Sequence, residues 1–206
     1  MIIGNKDFQT EQRGYIMGIL NVTPDSFSDG GKYRDLDKAL CHTRQMLAEG
    51  ADIIDVGGES TRSGYTLISD EEEIERTARV IEAIKKEFDV PVSLDTYKSG
   101  VAKAGIEAGA DLINDIWGLK WDGTMAEVLA ESGVAACLMH NRRDTDYGDF
   151  LVDVMADLQE TMDLAAEAGI AKEKIMLDPG IGFAKDLNQN LKMMKHLELM
   201  SRWDVP

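Results

Sequence analysis

Six short apolar runs recur along the chain, each ending at a polar or turn-forming residue. They are Tyr15–Leu20, Ile53–Val56, Val92–Leu94, Leu112–Ile113, Ala135–Met139 and Ile175–Leu177. Between them the apolar positions take a helical spacing. Leu36, Ala39, Leu40, Thr43 and Leu47 share one face, and so do Ile74, Thr77, Ile81, Ile84 and Phe88. Leu151, Val154, Leu158, Met162 and Ala165 form a third stripe. Short continuous apolar runs alternating with amphipathic helices predict an α/β protein, its strands parallel and covered by helices.

Local signals sharpen the pattern. Ser69 followed by Glu72 reads as a capping box, and the acidic run Asp70–Glu73 suits a helix N-terminus. The segments GADIID (50–55) and GADLIN (109–114) repeat weakly. Gly50, Gly109, Gly133 and Gly169 each follow a helical stripe, where a left-handed cap releases the chain into the next strand. Four similar junctions favour a regular (β/α)n array. Without a linker or low-complexity segment, 1–206 reads as one domain.

The net charge of −16 argues against nucleic acid or an anionic membrane as partner. It leaves room for a small anion held by local donors. No apolar run approaches the roughly 20 residues of a membrane span, and the N-terminus lacks an apolar leader. Cys41 and Cys137 stand alone and read as buried thiols of a reducing compartment, with the cytoplasm as default.

Ligands of such arrays bind at the C-terminal ends of the strands. Those ends carry Asn21, Asp55, Asp95, Asn114 with Asp115, His140 with Asn141, and Asp178. A buried carboxylate needs donors. Asp55 and Asp115 read as groups that fix the protein's own loops. Asp95, Asn114 and Asp178 could instead present acceptors and a donor to a flat, nitrogen-rich heterocycle. The first polar loop, from Thr23 to Gly31, holds a lone aromatic, Phe27, which either plugs the loop or closes onto a ligand. The second, Gly57–Gly64, holds Arg62, either a solvated charge or a partner for phosphate or carboxylate. The glycines and small polar residues of both loops predict mobility without ligand. His42 and His196 read as surface residues of helices, and His140 as a residue that could border the site.

The segments GILNVTPDSFSDGG (18–31) and EGADIIDVGGESTRSG (49–64) closely resemble the two signatures of the dihydropteroate synthase family. The resemblance continues through SLDTYKSGVAKAGIEAGADLINDIWG (93–118) and IMLDPGIGFAK (175–185). It implies a TIM-type (β/α)8 barrel, of which about six βα units are present here. It implies condensation of a pterin methyl pyrophosphate with p-aminobenzoate, releasing pyrophosphate, with Mg2+ as cofactor and sulfonamides as inhibitors. By the same resemblance Asn21 binds the metal with the pyrophosphate, and Asp95, Asn114 and Asp178 bond the pterin ring. Ile19, Ile116 and Met139 would line the ring's apolar faces, though Met139 also reads as ordinary core. Thr61 and Arg62 would lie near pyrophosphate and p-aminobenzoate, with Phe27 and Phe183 walling the p-aminobenzoate pocket. Asp95, Arg62 and Asp178 are the implied catalytic residues.

Two departures qualify the resemblance. Ser63 stands where the family usually has proline. The family's serine-arginine-lysine motif after strand seven, and its arginine/histidine anion site near strand eight, have no counterpart before Pro206. Six βα units by themselves would leave two strand edges open, so such a piece is expected to be poorly soluble or oligomeric and without synthase activity. The complete protein is expected to be a homodimer. The alternatives are a pterin-binding methyltransferase domain, which the first-loop signature disfavours, and a non-catalytic pterin-binding protein.

Overall fold

A computed structural model describes residues 1–23, 31–59 and 67–206, without the side chains of 31–34. A two-residue hairpin opens the chain, β1 (Ile2–Ile3) pairing antiparallel with β2 (Lys6–Asp7). The array follows as β3 (Met17–Asn21), α1 (Gly31–Glu49), β4 (Ile53–Gly57), α2 (Asp70–Glu87), β5 (Val92–Asp95) and α3 (Ser99–Glu107). It continues as β6 (Leu112–Asp115), α4 (Met125–Ser132), β7 (Ala135–Met139), α5 (Phe150–Ala168), β8 (Ile175–Asp178) and α6 (Leu187–Lys195). Strands β3 to β8 pair in chain order as one six-stranded, all-parallel sheet. All six strands lie where the apolar runs place them, most reaching one or two residues further into the polar end.

The alternation along each strand separates two faces. Leu20, Ile54, Val56, Val92, Leu94, Ile113, Ala136, Leu138, Ile175 and Leu177 pack with the helices in the main core. The three helical stripes meet this core through Ala39 and through Ile81, Ile84, Val154, Leu158 and Ala165. Ser69 accepts the Glu72 N–H at 3.3 Å, and Gly133 and Gly169 take the left-handed cap.

The opposite face is layered. At its lower end Ile53, Leu112 and Ala135 pack with Ile3 and Phe8 of the hairpin segment, with Met17, Cys137 and Met176 around them. The sequence pattern did not register this hairpin as an element, because two-residue strands carry no period. Higher up the lining turns polar, through Asp55, Ser93 and Asn114 to the strand ends. Cys41 corrects one expectation: it lies on the exposed side of α1, between the buried Ala39 and Thr43. Among the described residues no helix is long and apolar enough to cross a membrane.

Candidate active site

Parallel register sets the carboxy-terminal rim. Asp95 pairs across the sheet with Gly57 on one side and Asn114 on the other. Asn21 pairs with Gly57, and Asp178 with Met139. Asn21, Asp95, Asn114 and Asp178 therefore occupy one end of the array. Phe27, Thr61 and Arg62, and with them Ser63 and the expected loop mobility, lie outside the described residues.

Asp95 has an Oδ1 that is sealed from solvent and has no hydrogen bond among the described residues. Burial, and then the charges of Asp55, Glu73, Asp115 and Glu59, push its carboxyl well above the ordinary range. A buried acceptor without a donor, at a strand end, is the arrangement a ligand N–H would satisfy. Asn114 donates its Nδ2–H to Asp55 Oδ2 at 3.3 Å, which orients the amide. Asp178 accepts the Gly180 N–H on Oδ1 at 2.7 Å. Its Oδ2 has no hydrogen bond among the described residues.

Asp115 fixes a loop, as its position suggested. Its Oδ1 accepts the Trp117 N–H at 2.8 Å and its Oδ2 the Leu119 N–H at 2.7 Å. Burial still raises it to about 6. Asp55 corrects the parallel expectation. It sits two residues inside β4, beside Ser93 of the next strand, and braces Asn114 rather than a loop. Burial raises its carboxyl too.

The apolar side of the rim is a cluster of Tyr97, Ile116 and Met139, with Trp117 and Phe183 against it. Met139 thus stands in a cluster separate from the main core. Ile19 is 62 % exposed on the outermost strand β3. Cys137 lies under the rim, its thiol pushed up by burial and by the carboxylates of Asp178, Asp55, Asp115 and Asp95, so it is no nucleophile. His140 does not stand as an open wall of the site. It is 1 % exposed and bonded through both ring nitrogens, and it belongs to the support behind the rim.

Two features of the site carried little signal in the chain. Gly57 reads as a loop glycine, yet it is the last residue of β4. A Cβ there would come within 3.4 Å of Asn21 Oδ1 and 3.6 Å of Asp95 Oδ2. Its absence keeps open the space between those two side chains. Lys185 ends the apparently ordinary stretch GIGFAK, yet its ammonium is buried against His140.

The family model described as "Pterin binding enzyme" matches residues 17–206. The dihydropteroate synthase of Clostridium beijerinckii is 56 % identical over 206 residues, covering 100 % of this chain and 77 % of the relative. The chain belongs to the dihydropteroate synthase family. A crystal structure of the family's Clostridium difficile enzyme, in the presence of pteroic acid, superposes with a TM-score of 0.94 at 44 % identity. It covers 97 % of this chain and 76 % of that one. The Xanthomonas albilineans dihydropteroate synthase with 4-aminobenzoic acid gives a TM-score of 0.88 at 40 % identity, over 94 % of this chain and 71 % of that one. The six-stranded array is the family's barrel architecture over these units, and the family's enzymes are transferases.

Proposed function

We propose that this protein joins 6-hydroxymethyl-7,8-dihydropterin pyrophosphate to p-aminobenzoate, giving 7,8-dihydropteroate and pyrophosphate in folate biosynthesis. The observation that carries this reading is the rim itself. Among the described residues Asp95 and Asp178 each leave a carboxylate oxygen without a donor, beside the amide of Asn114 and the apolar cluster of Ile116, Met139 and Phe183. A 2-amino-pyrimidinone edge supplies the missing N–H groups, and its ring faces suit the apolar walls.

The chemistry follows from those contacts. As the bond from the pterin methylene to the pyrophosphate oxygen breaks, positive charge develops on the pterin. Asp95 and Asp178, held in a partly dry site, stabilise it. The p-aminobenzoate amine then forms the new C–N bond and sheds a proton. Phe183 walls the p-aminobenzoate side, and Phe27, Thr61 and Arg62 belong to the same reading. No covalent enzyme intermediate is needed, which agrees with an inert Cys137.

Asn21 fits a magnesium site of a particular kind. Its Oδ1 is a hard, neutral oxygen bordering the space that Gly57 leaves open. Magnesium keeps several waters and commonly takes substrate phosphate oxygens, so one such protein oxygen suits it. An ion held by Asn21 would supply positive charge to offset that of the leaving pyrophosphate. The same reading takes 1–206 as one domain of a cytoplasmic homodimer.

The test is formation of dihydropteroate from both substrates, with and without Mg2+. Activity that disappears on chelation and in Asp95→Asn is expected. Full activity in Asp95→Asn would remove the rim from the reaction.

A further inference from the structure

Behind the rim runs a chain of polar groups, buried at Lys185 and His140 and half-buried at Asp157 and Arg142, that the reaction, as derived above, does not use. Lys185 is 8 % exposed. Its Nζ donates to His140 Nδ1 at 2.9 Å, to the Gly180 carbonyl at 3.0 Å and to the Phe183 carbonyl at 3.0 Å. An ammonium has three hydrogens, so all of them are engaged. His140 Nε2 lies 2.9 Å from Asp157 Oδ2. Asp157 also takes Arg142 Nε at 2.6 Å and the second guanidinium nitrogen at 3.1 Å.

These contacts permit one arrangement of protons. Nδ1 must accept from the ammonium, so the single imidazole proton stands on Nε2 and is donated to Asp157. Burial, followed by the positive charge of Lys185, pushes His140 down to about 4, keeping it neutral at pH 7. Lys185 is lowered by burial to about 8 and still carries its proton there.

From Lys185 the chain of bonds reaches the rim. The Gly180 carbonyl takes the ammonium, while the Gly180 N–H donates to Asp178 Oδ1. The His140 N–H donates to the Asp178 carbonyl at 2.9 Å. Such a relay of polarised groups strengthens each member. The turn also carries strain. Ala184, between Phe183 and Lys185, has a φ of 43°, in the left-handed region that favours glycine. Its carbonyl is held by the Tyr147 hydroxyl at 2.9 Å.

We propose that Lys185, His140 and Asp157 are positioning residues, which fix the turn of Gly180–Phe183 and so aim the free oxygen of Asp178 and the ring of Phe183 at the two substrates. The inference rests on the reading under "Proposed function" for what those two side chains meet. It deepens that reading by assigning a role to three residues that touch neither substrate.

Two measurements test it. The chain has three histidines, so 15N spectra of the imidazoles are readily assigned. At pH 7 His140 is expected as the Nε2–H tautomer, with Nδ1 bare and shifted in Lys185→Met. An Nδ1–H tautomer or an imidazolium at pH 7 would overturn the proposal. The second measurement is calorimetry with 6-hydroxymethylpterin. Lys185→Met, folded by its melting curve, should bind the pterin about 10- to 100-fold more weakly, the scale of losses from small misplacements. Its KM for p-aminobenzoate should rise as well. Unchanged affinity and KM in the folded variant would also overturn it. Should Lys185→Met not fold, His140→Leu breaks the same hydrogen bond from its acceptor side, and the same affinity and KM outcomes decide. If the wild type binds no pterin, the functional reading fails, and the tautomer alone decides the brace.

Discussion

Gly57 and Asp95 are register partners on neighbouring strands, and the missing side chain of the first leaves room beside the carboxylate of the second. A Cβ on residue 57 would stand 3.6 Å from Asp95 Oδ2 and 3.4 Å from Asn21 Oδ1, ordinary contact rather than a clash. Gly57→Ala should therefore fold normally but fill space the substrate needs. Its melting temperature is expected within a few degrees of wild type, while pterin pyrophosphate affinity drops by about 10-fold, a loss of roughly 1.4 kcal/mol. Calorimetry with unchanged affinity would show that the space is not used.

Gly180 is a glycine for a different reason. Its φ is 68°, and a Cβ would lie 2.0 Å from the His140 carbonyl oxygen. Neither the backbone of residue 140 nor the turn has another place to go. Gly180→Ala should cost more than about 2 kcal/mol, combining left-handed strain with a backbone clash. Denaturant unfolding measures this directly.

Asp95 trades stability for binding. Its carboxyl is raised by burial and by neighbouring carboxylates, so its charge is a burden in the free protein. A carboxyl raised on folding costs stability as pH climbs from its unfolded value, near 3.9, through the folded one. Asp95→Asn removes that cost and should be more stable than wild type at pH 7, with a flatter pH dependence. Pterin binding and turnover should fall by ~10²-fold or more. A variant less stable than wild type at pH 7 would contradict the electrostatic account.

His140 gives the opposite slope. Its folded value of about 4 lies below the unfolded 6.5. The unfolded chain therefore takes up a proton first on acidification, and stability from this group is complete above pH 6.5 and lost towards pH 4. Over that interval the loss is on the order of 3 kcal/mol. His140→Gln, which has no such proton, should be least favourable relative to wild type above pH 6.5, and the gap should narrow by pH 4. A gap that is constant with pH would mean that folding does not lower the proton affinity of His140.

Phe8 probes the far end of the array. It is buried with Ile3, Ile53, Leu112 and Ala135, away from the rim. Phe8→Ala should destabilise by about 3 kcal/mol or more, through lost burial and the cavity left behind. Pterin affinity, measured well below the new melting temperature, should stay near wild type.

The chain itself determined the six strands, the helices between them and, for α1, α2 and α5, the side that is buried. Those are encoded by local periods, and a run such as Ala135–Met139 needs no distant partner to be recognised. It also determined which residues stand at strand ends, because the polar residue that stops an apolar run is adjacent to it. Asp115 belongs here, since its acceptors bond amides two and four residues on. Tertiary structure decided the rest. Asp55 was expected to hold a loop, but its partner is Asn114, 59 residues away, brought beside it only when the strands between fall into register. Lys185 and His140 are 45 residues apart, and nothing in either segment signals a shared proton arrangement. The hairpin beneath the array is too short for any period, and its meaning lies in what Ile3 and Phe8 cover. A periodic pattern specifies which face of an element is apolar. Which buried polar group meets which depends on crossings and register, and these exist only in the folded chain.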